Sequence, residues 1–385
     1  MFDFTYYNPT RIHFGKERMS ALAKEIPSDA HVLILYGGGS VVHNGVLAEV
    51  KTILDGRTLS EFGGIEPNPS YETLSKAVAK VKAEKIDFLL AVGGGSVIDG
   101  TKYIAAAALM DEDGWCILET RGRNIQRALP IGVVLTLAAT GSEMNNGGVV
   151  TRLSTQDKIA FNSIHCFPRF AVLDPTKTMT LPPRQISNGV VDAFVHVMEQ
   201  YLTYPVDAKV QDRFAEGLLL TLIEEGPRAL AEPDNYSVRA NLMWTASMAL
   251  NGLIGAGVPQ DWATHMIGHE LTVLHGLDHA QTLAVVLPAL MSVRRDQKAA
   301  KLKQYAERVW GVDRGSDEER IQLGIQYTRD FFQRMQVKTR LSEYGLAETA
   351  IPEIVAQLQR HGMIKLGETR DITPAISAQI LQECF

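Results

Sequence analysis

Short apolar runs alternate with helical periodicity through the first half of the chain. Residues 31–36 (HVLILY) read as a buried strand that stops at Gly37-Gly38-Gly39-Ser40. Residues 86–92 (IDFLLAV) repeat the arrangement and run into Gly93-Gly94-Gly95-Ser96. Between them, 71–85 place Leu74, Ala77, Val78 and Val81 at i, i+3, i+4 and i+7, the spacing of an amphipathic helix. Residues 131–137 and 170–173 are two further apolar strands. Strands alternating with helices predict a parallel sheet covered on both faces. The pattern changes at Leu181-Pro182-Pro183, where consecutive prolines interrupt regular structure. Long helix-compatible segments follow, with only 282–290 apolar enough to leave a strand open. The chain therefore reads as an α/β domain over 1–182 and an all-α domain over 183–385.

Composition narrows the partners. The 385 residues are 45% hydrophobic and 21% charged, ordinary for a globular protein with two cores. Lys plus Arg number 38 against 44 Asp plus Glu, a net charge of -6, which argues against nucleic acid or an anionic membrane as the main partner. The longest apolar runs, near 131–139 and 283–291, are too short to span a bilayer. The N-terminal stretch has no basic segment followed by an apolar run, so no signal peptide is expected. Three cysteines without metal-type spacing point to a reducing cytoplasm.

Four of the ten histidines fall in one stretch, DWATHMIGHELTVLHGLDH at 261–279. In a helix, His265 and His269 stand one turn apart on one face. Gly276 then breaks the pattern and turns the chain so that His279 comes back towards the same point. Imidazole is the commonest metal ligand near neutral pH, so a cluster of this density predicts a metal. Spacing alone does not choose among the four. Upstream, Asp192 and His196 share a helix face in VVDAFVHVME, an apolar setting in which a carboxylate and an imidazole are costly unless paired. They have each other, Arg184, or a metal shared with the downstream histidines. A zinc-peptidase HExxH is excluded, because His265-Met266-Ile267-Gly268-His269 lacks the glutamate.

Glycine-rich turns between strand and helix let backbone N–H groups approach phosphate, with the helix N-terminus adding favourable partial charge. GGGSVID at 93–99 sits where such a site belongs. It is not the GxGxxG fingerprint, since Ile98 stands where the last glycine would be, and the order Thr101-Lys102 excludes a P-loop. Residues 136–143 (TLAATGSE) place hydroxyls at another strand end of the same crevice.

These residues match a known family. NPTRIHFG at 8–15, YGGGS at 36–40, FGGIEPNP at 62–69, AVGGGSVIDGTK at 91–102, LPPRQISNGVVDAFVHVMEQY at 181–201 and the long stretch 252–290 together resemble the iron-containing alcohol dehydrogenase family, specifically its butanol-dehydrogenase type. The resemblance spans the chain. It implies a Rossmann-like N-terminal domain and a helical C-terminal metal domain, the architecture shared with dehydroquinate synthase. The implied metal ligands are Asp192, His196, His265 and His279. His269 and His275 would then line the site as candidate proton relays. Gly94, Gly95, Ser96 and Asp99 would hold the cofactor pyrophosphate and adjoining ribose. Thr136, Thr140, Ser142, Asn145 and Lys158 match positions near the diphosphate or nicotinamide end. The implied reaction moves hydride between NADP(H) and short- to medium-chain aldehydes or primary alcohols, with one zinc or iron(II) ion. A homodimer is the expected assembly.

Cofactor choice also has a residue-level argument. NAD-selective enzymes place an acidic side chain after a strand, where it binds the ribose hydroxyls and repels a 2′-phosphate. Here the strand is followed by Gly37, Gly38, Gly39 and Ser40, with no acid until Glu49; NAD-preferring relatives tend to carry aspartate at the place of Gly38. NADPH is the predicted cofactor. A lyase of the dehydroquinate-synthase kind is the rival, but it needs several basic phosphate-binding residues around the metal, and only Arg184 is near in sequence.

Overall fold

Eight strands form: β1 (Arg11–Phe14), β2 (His31–Tyr36), β3 (Thr58–Phe62), β4 (Phe88–Gly93), β5 (Ile131–Leu135), β6 (Gly147–Arg152), β7 (Asp157–Asn162) and β8 (Phe170–Leu173). Six make a parallel sheet in the order β1-β8-β5-β4-β2-β3, while β6 and β7 pair as an antiparallel ribbon. The four predicted strands occupy the centre of this sheet, and the predicted helix runs Tyr71–Glu84. Ser70 caps that helix by accepting from the Thr73 N–H, and Lys85 ends it at φ 53°.

Side chains alternate between the two faces along the central strands. Leu33, Leu35, Leu89, Ala91, Val133 and Leu135 pack on one face of the sheet, and Val32, Ile34, Phe88, Leu90, Val92 and Val134 on the other. Both faces are covered, which is why these strands read as continuous apolar runs. From β2 the chain proceeds to β3 on one side and then crosses to β4 on the other. The order reverses between β2 and β4, and ligands of open α/β sheets bind outside the strand C-termini at such a point.

The computed structural model describes all 385 residues, which group into two units. One comprises Tyr7–Pro182 with Pro233–Asn251; the other comprises Met1–Tyr6, Pro183–Glu232 and Gly252–Phe385. A single boundary at 182/183 would assign Pro233–Asn251 and Met1–Tyr6 the other way round. The helix Tyr236–Ala249 joins the sheet unit because Met243 lies in its core and the Ser247 hydroxyl donates to buried Glu143. At the other end, Phe2 N–H donates to Gly257 O at 2.8 Å.

The second unit is helical. Residues 282–290, open to a strand reading, lie within the helix His279–Val293. The run is apolar all round because nearly every side of that helix is buried. No helix is long and apolar enough to cross a membrane, and Cys116, Cys166 and Cys384 are free thiols.

Candidate metal centre and cofactor edge

Three helices build the metal centre. In Pro183–Tyr201, Asp192, His196 and Glu199 fall at i, i+4 and i+7 on one buried face. The helix Ala263–His275 contributes His265 and His269 and ends at Gly276, whose φ of 69° is the left-handed value glycine adopts freely. Asp278 then opens His279–Val293 through a capping box with Gln281, so His279 is the first residue of its helix. Asp278 is itself held by Arg184 Nε at 2.8 Å and Asn188 Nδ2 at 2.9 Å. Arg184 therefore pairs with the cap rather than with Asp192 or His196.

The ligand atoms of Asp192, His265 and His279 lie within 4.8 Å of one another. Asp192 Oδ1 is the focus: His279 Nε2 is 3.7 Å away, His265 Nε2 3.9 Å and His196 Nδ1 3.6 Å. The His196 ring also stacks on that of His265, with centroids 4.7 Å apart. Asp192 Oδ1 is buried and makes no hydrogen bond. An uncompensated buried carboxylate costs several kcal/mol, and a divalent cation among these imidazoles would remove that cost. Three nitrogens and one carboxylate oxygen fit zinc or iron(II) equally well. The His269 ring centroid is 5.4 Å from that of His279 and 6.3 Å from that of His265. His275 lies six residues further along the helix, roughly 9 Å along its axis.

Sequence reasoning missed Glu199, although its i+7 spacing from Asp192 on so apolar a face was a readable signal. Glu199 Oε1 accepts from Thr264 N at 2.7 Å and His265 N at 3.3 Å, and Oε2 contacts His265 Nδ1. Burial, with the Asp261 carboxylate adding to it, pushes the Glu199 carboxyl well above its ordinary range, while the surrounding N–H groups oppose the shift. Asp261 caps Ala263 N at 2.8 Å and is paired at 2.9 Å with Lys298, whose ammonium also reaches Leu202 O and Glu368. Lys298 is thus a buried cation with all its donors used. A cavity of about 220 Å3 lies elsewhere in this unit, lined by Tyr201, Tyr204, Gln211, Lys301 and Gln304 and by none of the predicted site residues.

In the sheet unit, Gly37–Gly39, Gly94–Gly95 and Thr136 follow the C-termini of the adjacent strands β2, β4 and β5. Packing accounts for two glycines of the second run. A Cβ on Gly93 would meet Val97 at 2.6 Å, and one on Gly95 would meet Thr140 at 2.4 Å. Gly38 is different: a Cβ there would have no atom within 4 Å, and its φ is not positive. Neither sterics nor backbone conformation demands glycine at 38. The next acid, Glu49, is paired with Lys177 at 2.6 Å.

Gly94 caps the thirteen-residue helix Gly95–Ala107, whose first N–H groups have no partner within the helix. Ser96 Oγ accepts from Asn68 N at 3.3 Å, and Asn68 Oδ1 accepts from Lys158 Nζ at 2.7 Å, so Ser96 and Lys158 meet through a residue not singled out from sequence. Asp99, Ser142 and Asn145 are tied inward. Asp99 accepts from Ser142 Oγ at 2.6 Å and Val149 N at 2.9 Å. Lys102, one turn after Asp99 and fully buried, donates to Ser142 Oγ, Asn145 Oδ1 and Gly147 O. Burial lowers the Lys102 pKa to about 8, with Asp99 opposing the shift. These three predicted residues therefore shape the 141–147 loop, while Thr136, Thr140 and the glycines form the edge itself.

A glycine-rich sheet edge and a helical cage with the donor set of a divalent metal are the parts a metal-dependent dehydrogenase needs. Comparison with known proteins supplies the family. The iron-containing alcohol dehydrogenase profile matches residues 9–175, and the C-terminal profile of the Fe-containing alcohol dehydrogenase family matches 186–382. The chain belongs to the iron-containing alcohol dehydrogenase family. It is 62% identical over 384 residues to the NADPH-dependent aldehyde reductase YqhD of Escherichia coli (strain K12), covering 99% of each chain. It is 41% identical over 367 residues to a probable NADH-dependent butanol dehydrogenase of Bacillus subtilis (strain 168), covering 94% of this chain and 95% of the other. The crystal structure of E. coli K-12 YqhD superposes with a TM-score of 0.99 at 61% identity, covering 100% of this chain and 99% of that one.

Proposed function

We infer that the chain is an NADPH-linked, metal-dependent aldehyde reductase acting on short- to medium-chain aldehydes and, in reverse, on primary alcohols. The observation that carries this reading is the convergence of His196, His265 and His279 on the bare Oδ1 of Asp192, in a family of alcohol dehydrogenases. When bound, the metal supplies Lewis acidity to the carbonyl oxygen and the reduced nicotinamide supplies hydride. The rest falls to the chain's own side chains. Asp192, His196, His265 and His279 would hold the metal. Trp262, with its ring 5.3 Å from that of His265 and 6.3 Å from that of His196, presents an apolar wall that keeps water from the ligands and suits an alkyl chain. His269, the nearer of the two remaining histidines, would hold the proton that the product alcohol gains, with His275 behind it. Gly94, Gly95, Ser96, Thr136 and Thr140 would seat the pyrophosphate, and Gly37–Ser40 the 2′-phosphate. Arg184, engaged by Asp278, is withheld from the phosphate binding that a lyase of the dehydroquinate-synthase kind would need.

Butanal with NADPH and butanol with NADP, each followed through the nicotinamide absorbance near neutral pH, test the reading. Aldehyde reduction should have the larger kcat/KM; a larger value for butanol oxidation would overturn the assigned direction.

A homodimer is the proposed assembly, supported by the exposed Met1, Phe2, Phe4 and Tyr6 at one terminus, a density of apolar surface that usually marks an interface. Light scattering should give twice the mass of one chain, falling when residues 1–6 are removed. A single-chain mass for the intact protein would sink this proposal.

A further inference from the structure

Glu199 meets the helix Ala263–His275 in two ways, at its backbone and at the His265 ring. It is 3% exposed, and its two oxygens have different tasks. Oε1 accepts from the backbone of Thr264 and His265, in the first turn of Ala263–His275, where N–H groups lack partners within the helix. Oε2 contacts the imidazole Nδ1 of His265. We propose that Glu199 is the positioning residue that makes His265 a metal ligand, by keeping the imidazole proton on Nδ1 and leaving Nε2 bare on the side of Asp192. This rests on the metal reading above.

Helix capping alone does not explain the carboxylate. Asp261 Oδ1 already caps the same helix at Ala263 N, and one amide oxygen would satisfy the donors that Oε1 meets. Only the second oxygen requires a carboxylate. Glutamine has nearly the same shape but a single acceptor. With its oxygen on the backbone N–H groups, its NH2 faces His265 Nδ1 and drives the proton to Nε2, the atom that must be bare. With the amide reversed, its NH2 meets two backbone donors instead. Supporting groups of this kind hold ring orientation and tautomer at metal sites, and their loss weakens metal binding about 10- to 100-fold.

The test uses full-length wild type, Glu199→Gln and Glu199→Asp, stripped with a chelator and titrated with Zn2+ against a chromophoric competitor. Glu199→Gln should bind Zn2+ about 10- to 100-fold more weakly, with the stripped proteins melting at similar temperatures. Glu199→Asp, which keeps both acceptors, should recover part of the loss. Nitrogen-15 spectra of histidine-labelled stripped wild type, with His265 assigned through His265→Gln, should show the proton on Nδ1. Equal Zn2+ dissociation constants for wild type and Glu199→Gln would overturn the proposal, as would a proton on Nε2 of wild-type His265. If Glu199→Gln does not fold, the wild-type spectrum decides alone. Failure of wild type to bind Zn2+ would remove the metal reading itself, and that result is seen before any variant is made.

Discussion

Alanine in place of Asp192, His196, His265 or His279 is expected to remove metal and activity together. The Lewis acid contributes several kcal/mol to the transition state, so kcat/KM for butanal should fall on the order of 10³-fold or more. The stability of the metal-free protein separates a ligand role from a structural one. Asp192 Oδ1 accepts no hydrogen bond from the protein, so deleting the carboxylate breaks none at that oxygen. Stripped Asp192→Ala should therefore melt no lower than stripped wild type. His269→Ala should keep its metal and lose about 10²-fold in turnover, the scale of a lost proton donor. Metal analysis beside turnover checks the set; wild-type metal content in His279→Ala would remove that residue from the ligands.

The second large effect is on cofactor choice. Wild type should strongly prefer NADPH over NADH, and Gly38→Asp should erode that preference mainly by raising KM for NADPH. Position 38 suits the test because a side chain there meets nothing within 4 Å and the backbone is not left-handed. The variant should fold as wild type does. Charge repulsion and lost hydrogen bonds to the 2′-phosphate together amount to ~2–4 kcal/mol, about 30- to 1000-fold in kcat/KM. The comparison has bite because relatives of this chain include both NADPH-dependent and NADH-dependent enzymes. Equal efficiency of wild type with the two cofactors would show that the loop after β2 does not read the 2′ position.

The sheet and the histidine cluster were legible for the same reason: each is carried by local spacing. β2, β4, β5 and β8 are buried on both faces and announce themselves as apolar runs. β1 (RIHF) and β3 (TLSEF) are edge strands, half exposed and mixed in character, with no such run to read. Helical periodicity plus one glycine turn gathers the histidines, while the choice of ligands among them came from the family resemblance. The supports of the site are not legible in this way, because the partners of Glu199, Lys298 and Lys102 lie 66, 96 and 45 residues away at their most distant, distances that periodicity cannot bridge. Asp99 and Lys102, one turn apart in an alanine-rich helix, support the 141–147 loop through Ser142, Asn145 and Gly147, partners that local spacing does not reveal. The likeness of 282–290 to a strand had a simple cause: a helix buried on nearly every side loses its polar stripe.

The path of the chain between its two units bears on how such an enzyme can be taken apart or recombined. The chain crosses from one unit to the other at 6/7, 182/183, 232/233 and 251/252. A gene fragment ending at 182 would carry every predicted cofactor residue and still lack Tyr236–Ala249. Without that helix the core loses Met243, and the enclosed Glu143 loses the hydroxyl of Ser247. The complementary fragment would carry every ligand together with a helix that has lost the sheet it packs on, and would lack the first six residues. Neither half is a cassette that exon shuffling or domain swapping could pass on intact.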